Sequence, residues 1–476
     1  MSSRPQASID DPSYRPEPRI ESINDFLGAP VHAAEFPQHI LRFRNDRAAA
    51  SIGLAGLSDA QWINHFSCFV PLPGNLPQPL ALRYHGHQFR VYNPDIGDGR
   101  GFLFAQVREN TPSGRLLDLG TKGSGQTSYS RSGDGRLTLK GGVREILATE
   151  MLEALGVSTS RTFSLIETGE ALERGDEPSP TRGSVLVRLS HSHIRIGSFQ
   201  RLASLGRDDA LGRLTDYVLR ELLVLDPGTD PSATLMSAAV ERCADLAGSY
   251  MVAGFVHGVL NSDNINVTGE SFDYGPWRFT PRWEPGFTAA YFDRTGLYAF
   301  SRQAEAIHWN LAQLAMSLRP LTESEPLVAA LERFPALYEA SLIQRFLWRL
   351  GCVAPDEPAA HAFVSAALRA LMGSDILIDR FFLEWRRGGH DHPDFAGEAW
   401  DTAREAFSAL TPVPSHLDHP YWSDEAPCSM HIDEVEAIWS AIDRDDDWAP
   451  LMDKVEAIRR MGAALGAPPR PPFILR

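Results

Sequence analysis

Lysine is nearly absent from this chain. Lys122, Lys140 and Lys454 are its three lysines, among 45 basic residues in 476. Arginine serves almost everywhere a cation is needed, so a lysine inside a motif is informative. Cysteine is scarce too: Cys68, Cys243, Cys352 and Cys428 stand far apart and form no CxxC pair. That pattern argues against zinc and against a disulfide framework, and it suits a reducing compartment. A basic excess is also missing. The net charge of −16 argues against a general nucleic-acid binder, whose phosphate contacts need a positive face, but leaves room for a local cationic pocket. No apolar run approaches the length of a membrane span. The opening MSSRPQASIDDPSYRPEP is polar and proline-rich, without the apolar stretch of a signal peptide. The expectation is a cytoplasmic protein with no membrane and no nucleic acid among its partners.

What is present is an ordinary globular composition, 43% hydrophobic and 22% charged, in a chain too long for one simple core. Residues 1–19 read as a flexible arm. Short helical patterns and loops follow, and the proline-rich VPLPGNLPQPL (70–80) leads into the next unit. Strands are expected over 101–110 and 115–123, joined by the turn TPSG, and again over 159–168 and 183–199. Between these pairs, Val143, Ile146, Leu147, Met151, Ala154 and Leu155 recur at helical steps, with Gly156 as the stop. Residues 169–183 read as a polar loop. Beyond about 200 the pattern is helical, notably over 211–225, 237–258 and 305–320. The expected fold is α+β, with a strand-rich N-terminal lobe (20–200), a helical C-terminal lobe with a helical extension (201–476), and the cleft between them as the site.

Four pieces with phosphate chemistry fall in one order. NPDIGDGRGFLF (93–104) alternates Gly97, Gly99 and Gly101 and encloses Arg100. Glycines let backbone N–H groups approach phosphates, though a plain β-turn explains the same run. Lys122 ends a strand-like run, where a kinase-type lysine would pair with phosphates. Glu145, early in the following helix, is the partner such a lysine needs; a surface Lys and a surface Glu are the alternative. Last comes HGVLNSDNINVTGESFDYG (257–275). A phosphotransferase loop runs H-x-D, four residues, then Asn. His257 and Asn264 fit, but Val259 replaces the Asp. Asn264 and Asp273 offer oxygens to a hard cation, and Mg²⁺ needs only one or two protein ligands beside phosphates. Arg131, Asp134, Gly135 and Arg136, with Arg188 and Arg195 further on, add polar and cationic groups suited to a polyphosphate. HSH (191–193) lacks further metal ligands, and YHGHQF (84–89) reads as an ordered turn.

Taken together, YHGHQF…NPDIGDGRG, GTKGSGQTSYSRSGDGR…REILATE, VRLSHSHIRIGSF and HGVLNSDNINVTGESFDYGP closely resemble the selenoprotein O (SelO) family over residues 81–312. The resemblance implies a bilobal protein-kinase-like fold, long regarded as a pseudokinase, acting as a protein adenylyltransferase with ATP bound in an inverted orientation. By motif position it implies nucleotide contacts from Gly97, Gly99, Arg100, Lys122, Asp134, Gly135, Arg188 and Arg195. It further implies Glu145 paired with Lys122, Asn264 and Asp273 on Mg²⁺ (or Mn²⁺), and Asp263 as proton acceptor. Acceptor proteins bearing hydroxyl side chains are the implied partners. Two departures stand out. Some members carry a Cys or selenocysteine near the end, and some a Cys downstream of DYGP. Here those stretches read GAPPRPPFILR and PGFTAAYFD, so redox control through them is not expected.

Two other readings stay open at this level. One is γ-phosphoryl transfer, against which Val259 speaks. The other is a non-catalytic nucleotide-binding pseudokinase, against which the Lys122, Glu145, Asn264 and Asp273 set speaks.

Overall fold

The computed structural model describes residues 9, 11–175 and 177–469. Apolar alternation in the N-terminal half builds one antiparallel sheet. In spatial order its strands are Gly28–Pro30, Leu80–Leu82, Leu103–Arg108, Leu116–Lys122, Thr181–Ser190, Arg161–Leu172 and Ile40–Arg44, with Leu137–Thr138 also paired to Thr181–Ser190. Register slips at Leu103/Ala105, Val187/Arg188 and Leu41/Phe43 act as bulges, which bend and twist strands and curl the sheet.

The period of two sorts side chains onto two faces. Phe104, Leu117, Phe163, Val185 and Val187 pack with Trp62 and Phe66 of the Asp59–Phe66 helix. Leu103, Leu116, Leu165 and Leu186 face Val143, Ile146, Leu147 and Met151 of the Leu139–Ala154 helix. Thr138 caps that helix, its hydroxyl accepting from the Gly141 N–H at 3.1 Å. Gly156 ends the segment at φ +75°, a conformation that disfavours a side chain.

The strand expected over 183–199 is corrected. It stops at Ser190, and a helix starts at Ile196. Ser192 turns the chain at φ +84°. Gly197 then lies so close to the His85 carbonyl that a Cβ would stand 2.0 Å from its oxygen. The apolar Ile196, Phe199 and Leu202 recur at threefold spacing and bury as a helix face. The loop expected over 169–183 is shorter, because one strand runs on to Leu172 and the next begins at Thr181. Of the stretch expected as an arm, residues 15–17 lie along the sheet: the Arg108 N–H donates to the Arg15 carbonyl at 2.9 Å and the Glu17 N–H to the Gln106 carbonyl at 3.1 Å.

The C-terminal half is helical, led by Pro231–Ala253, Gln303–Leu318 and Phe334–Leu350. Its last two helices, Ile432–Asp445 and Ala449–Leu465, return to the Leu139–Ala154 helix. There Arg459 pairs with Glu150 at 2.6 Å and Lys140 with Glu436 at 2.7 Å. Among the described residues, no helix is long and apolar enough to cross a membrane.

Candidate active site

A cleft of about 650 Å³ takes its walls from four stretches far apart in sequence, 84–101, 121–136, 173–195 and 263–273. Gly97, Gly99, Arg100, Lys122, Asp134, Gly135, Arg188, Arg195, Asp263 and Asp273 all line it. Glu145 and Asn264 do not. Glu145 lies buried behind Lys122, and Asn264 sits beside the cleft with its amide nitrogen donating to the Val259 carbonyl at 3.0 Å.

The floor is a knot of charge. Lys122 is 4% exposed; its ammonium donates to Glu145 and stands 2.9 Å from Asp273 Oδ1. Arg188 Nη1 lies 3.5 Å from the same oxygen and makes no hydrogen bond among the described residues. Arg195, almost wholly buried, stacks over Tyr84 at 4.1 Å and Phe272 at 4.9 Å and donates to the Asp263 carbonyl at 3.2 Å. Burial by itself would raise the Asp273 carboxyl. Lys122, Arg188, Arg195 and Arg100 outweigh it and hold that group well below the usual carboxylate range. Asp273 also sits at φ +65°, a strained setting for a residue with a Cβ. His257 ties the two motifs together: its Nε2 donates to the Phe272 carbonyl at 3.1 Å.

Asp263 is the contrasting carboxylate. Burial pushes it up to about 6, the pull of Arg195 notwithstanding, and the Asp273 charge adds to the rise. Its Oδ1 has no partner among the described residues, and Gln88 Nε2 is 3.5 Å from Oδ2. A carboxylate with a free, buried oxygen at a cleft wall is equipped to take a proton.

Behind Arg188 runs a relay that the sequence reading missed. Arg188 Nε donates to His193 Nε2 at 3.1 Å, which requires that nitrogen to be unprotonated. The other ring nitrogen, Nδ1, is 3.2 Å from Asp118 Oδ2. Asp118 further accepts from the His193 N–H at 2.9 Å and from Gln106 Nε2 at 2.7 Å. All three partners of the relay are buried. The HSH motif therefore aims an arginine, while His191 donates to the Leu222 carbonyl at 2.9 Å. The aspartate in LLDLGTK, an acid inside an apolar strand, was the available signal.

The rim is looser. Asp134 pairs with Arg174 at 2.8 Å, half-exposed, and Arg136 with Glu170 at 2.7 Å. The glycines at 97 and 101 are required by packing. A Cβ at Gly97 would strike the Tyr129 ring at 2.5 Å, and one at Gly101 the Thr121 carbonyl at 2.1 Å. They allow the two loops to nest. Asp98, Tyr84, Arg174 and Glu173 also line the cleft and were not expected.

A divalent cation fits this donor set. Asp273 is held ionised, and Asn264 has spent its amide nitrogen, which leaves its carbonyl oxygen to accept. Among the described residues, no group of three or more His, Cys, Asp or Glu side chains converges as a metal cage. Mg²⁺ shared with phosphates does not require one.

Residues 13–401 match the family described as protein adenylyltransferase SelO. The chain belongs to the SelO family. A protein nucleotidyltransferase YdiU of a Synechocystis species is 42% identical over 93% of this chain and 97% of its own length. That of Gloeobacter violaceus is 43% identical over 93% of this chain and 95% of its own, and that of Pseudomonas aeruginosa 38% identical over 67% and 64%. This SelO-family chain is thus a nucleotidyltransferase, and its family activity is protein adenylylation.

Proposed function

We propose that the enzyme transfers AMP from ATP to Ser, Thr or Tyr hydroxyls of acceptor proteins, in a bilobal kinase-like fold that holds the triphosphate in inverted sense. The N-terminal lobe would span residues 20–200 and the helical lobe 201–476, with the protein at work in the cytoplasm. One observation carries the reading: the loop that lacks a carboxylate at Val259 supplies a different one, Asp263, at the wall of a cleft floored by Lys122, Arg188 and Arg195.

In this reading the acceptor hydroxyl passes its proton to Asp263 as its oxygen attacks the α-phosphorus. The bond from that phosphorus to the bridging oxygen breaks, and pyrophosphate leaves. Lys122, Arg188 and Arg195 stabilise the charge that develops on the leaving group. Glu145 keeps Lys122 in place, so little reorganisation is needed at the moment of transfer. The Gly97–Gly101 turn, Arg100, Asp134 and Gly135 border the rest of the nucleotide. Asn264 and Asp273 would hold Mg²⁺ or Mn²⁺, which supplies charge neutralisation at the phosphate oxygens when bound.

The test is incubation of the enzyme and a mixed-protein acceptor with ATP labelled at the α or the γ position. The α label should become protein-bound and the γ label should appear in pyrophosphate. Protein labelled from the γ position alone would replace this reading with phosphoryl transfer.

A further inference from the structure

Four Phe and Tyr side chains are exposed among the described residues, Phe89, Tyr92, Tyr291 and Phe292; Tyr92 turns back on its own hairpin, its hydroxyl 2.7 Å from His85 Nδ1, and the other three meet. Tyr291 is 85% exposed. Phe292 lies 6.0 Å from Phe89 and 5.1 Å from Tyr291, ring centre to ring centre. An exposed aromatic cluster of this kind marks a contact surface, because tyrosine and phenylalanine gain most when a partner covers them.

A second observation concerns how Phe89 is presented. It forms the tip of a hairpin, Gly86–Gln88 paired with Val91–Asn93. Both tip residues, Phe89 and Arg90, have positive φ, +50° and +65°. A turn of that type favours Asn-Gly, and side chains at both positions are strained. The strain is held by contacts to the catalytic loop itself. The His87 N–H donates to Ser262 Oγ at 2.7 Å, and the Phe89 N–H to Asn261 Oδ1 at 2.9 Å. Tyr298 donates to that same Asn261 oxygen at 2.6 Å. Gln88, the neighbouring residue, lines the cleft beside Asp263.

We propose that this aromatic ledge is the docking surface for the acceptor protein, and that it takes an extended segment with a large apolar side chain a few residues from the hydroxyl. The inference rests on the adenylyltransferase reading. The occupant follows from continuity: the ledge adjoins the residues that the acceptor hydroxyl must reach, and the hairpin is bolted to the loop that carries Asp263. The Phe89 N–H is fixed on Asn261 and its ring rests 5.1 Å from buried Tyr298, so the hairpin serves as a rigid fence that sets how the segment enters.

The experiment uses peptide libraries with one fixed Ser, Thr or Tyr and each other position scanned, the full-length chain, and α-labelled ATP. The wild type should favour peptides with Phe, Leu or Tyr near the hydroxyl. The double variant Tyr291→Ser, Phe292→Ser should lose that preference, with kcat/KM for the apolar-flanked peptides falling about tenfold or more, as for a buried aromatic anchor. Affinity for ATP should be unchanged, which also shows that the variant is folded. A wild type indifferent to apolar flanks, or a double variant that retains the preference, would overturn the ledge alone. A wild type dimer that the double variant dissolves would assign the ledge to self-association and overturn the proposal. Absence of α label on any peptide or protein would remove the adenylyltransfer reading and the ledge with it.

Discussion

The floor and the rim of the cleft are built on opposite terms. On the floor, Lys122, Glu145, Arg188 and Arg195 are withdrawn from water, Asp273 keeps 27% of its side chain exposed toward the cleft, and the five answer one another's charge. Buried charges left without partners cost several kcal/mol, so each of these groups constrains the rest. Along the rim, Asp134–Arg174 and Arg136–Glu170 are partly exposed pairs, which contribute little and can part at small expense. The difference assigns precision to the floor and adaptability to the rim. Under the proposed function, a nucleotide entering the cleft would exchange rim pairs for its own phosphates but would have to fit the floor as it stands.

The largest break in that comparison should come from the floor. Asp273→Ala removes the anion between Lys122 and Arg188 and should lower transfer by about 10²–10³-fold, the scale of losing one preorganised charge stabiliser. Single-turnover kinetics would measure it, and a rate near wild type would move the metal and phosphate contacts elsewhere.

Next in size is the relay behind the floor. His193→Leu deprives Arg188 Nε of its acceptor and should reduce kcat/KM about tenfold, as removing a supporting partner does. His193→Gln presents a side-chain oxygen in its place and should recover most of the loss. Equal defects in both variants would mean that His193 fills space and aims nothing.

Asp263 gives a prediction in pH. Transfer needs its ionised form, so the rate should rise with pH through about 6. The same shift acts on stability in the opposite sense. The unfolded carboxyl ionises at the ordinary 3.8, whereas the folded one keeps its proton to about 6. Stability therefore falls as pH rises through that window and stays reduced above it. Asp263→Asn should be nearly inactive yet melt higher than wild type at about pH 8, with the gap closing near about pH 4. A variant that melts lower at the alkaline end would show that the carboxylate stabilises the fold. The smallest effect should come from the rim: Arg174→Ala frees Asp134 and should change KM for ATP by about threefold or less, the scale of an exposed ion pair.

The same contrast explains what could be read from the sequence. Floor residues were legible because their chemistry is rare here. Lys122 is one of three lysines, and Glu145 and Asp273 stand at motif spacings. The strands at Leu103–Arg108 and Leu116–Lys122 and the helix at Leu139–Ala154 lay within a few residues of their periodic patterns. Rim residues such as Arg174 were hidden among many equivalent arginines. The Asp118–His193–Arg188 relay escaped because its members are joined by the fold across 70 residues or so of chain, beyond any local period. VRLSHSHIRIGSF misled because alternating apolar residues at its start continue into apolar residues at helical spacing, and only the turn at Ser192 separates them. The resemblance seen over 81–312 covered less than the family match over 13–401. The outer parts bear packing more than chemistry, as in Arg459 with Glu150 across 309 positions.

Which phosphate faces Asp263 decides between adenylyl and phosphoryl transfer, and a crystal structure with Mg²⁺ and a non-hydrolysable ATP analogue measures that directly. The α-phosphorus is predicted to lie closer to the Asp263 carboxylate than the γ-phosphorus does. A terminal phosphorus nearer to Asp263, with the sugar turned away, would contradict it.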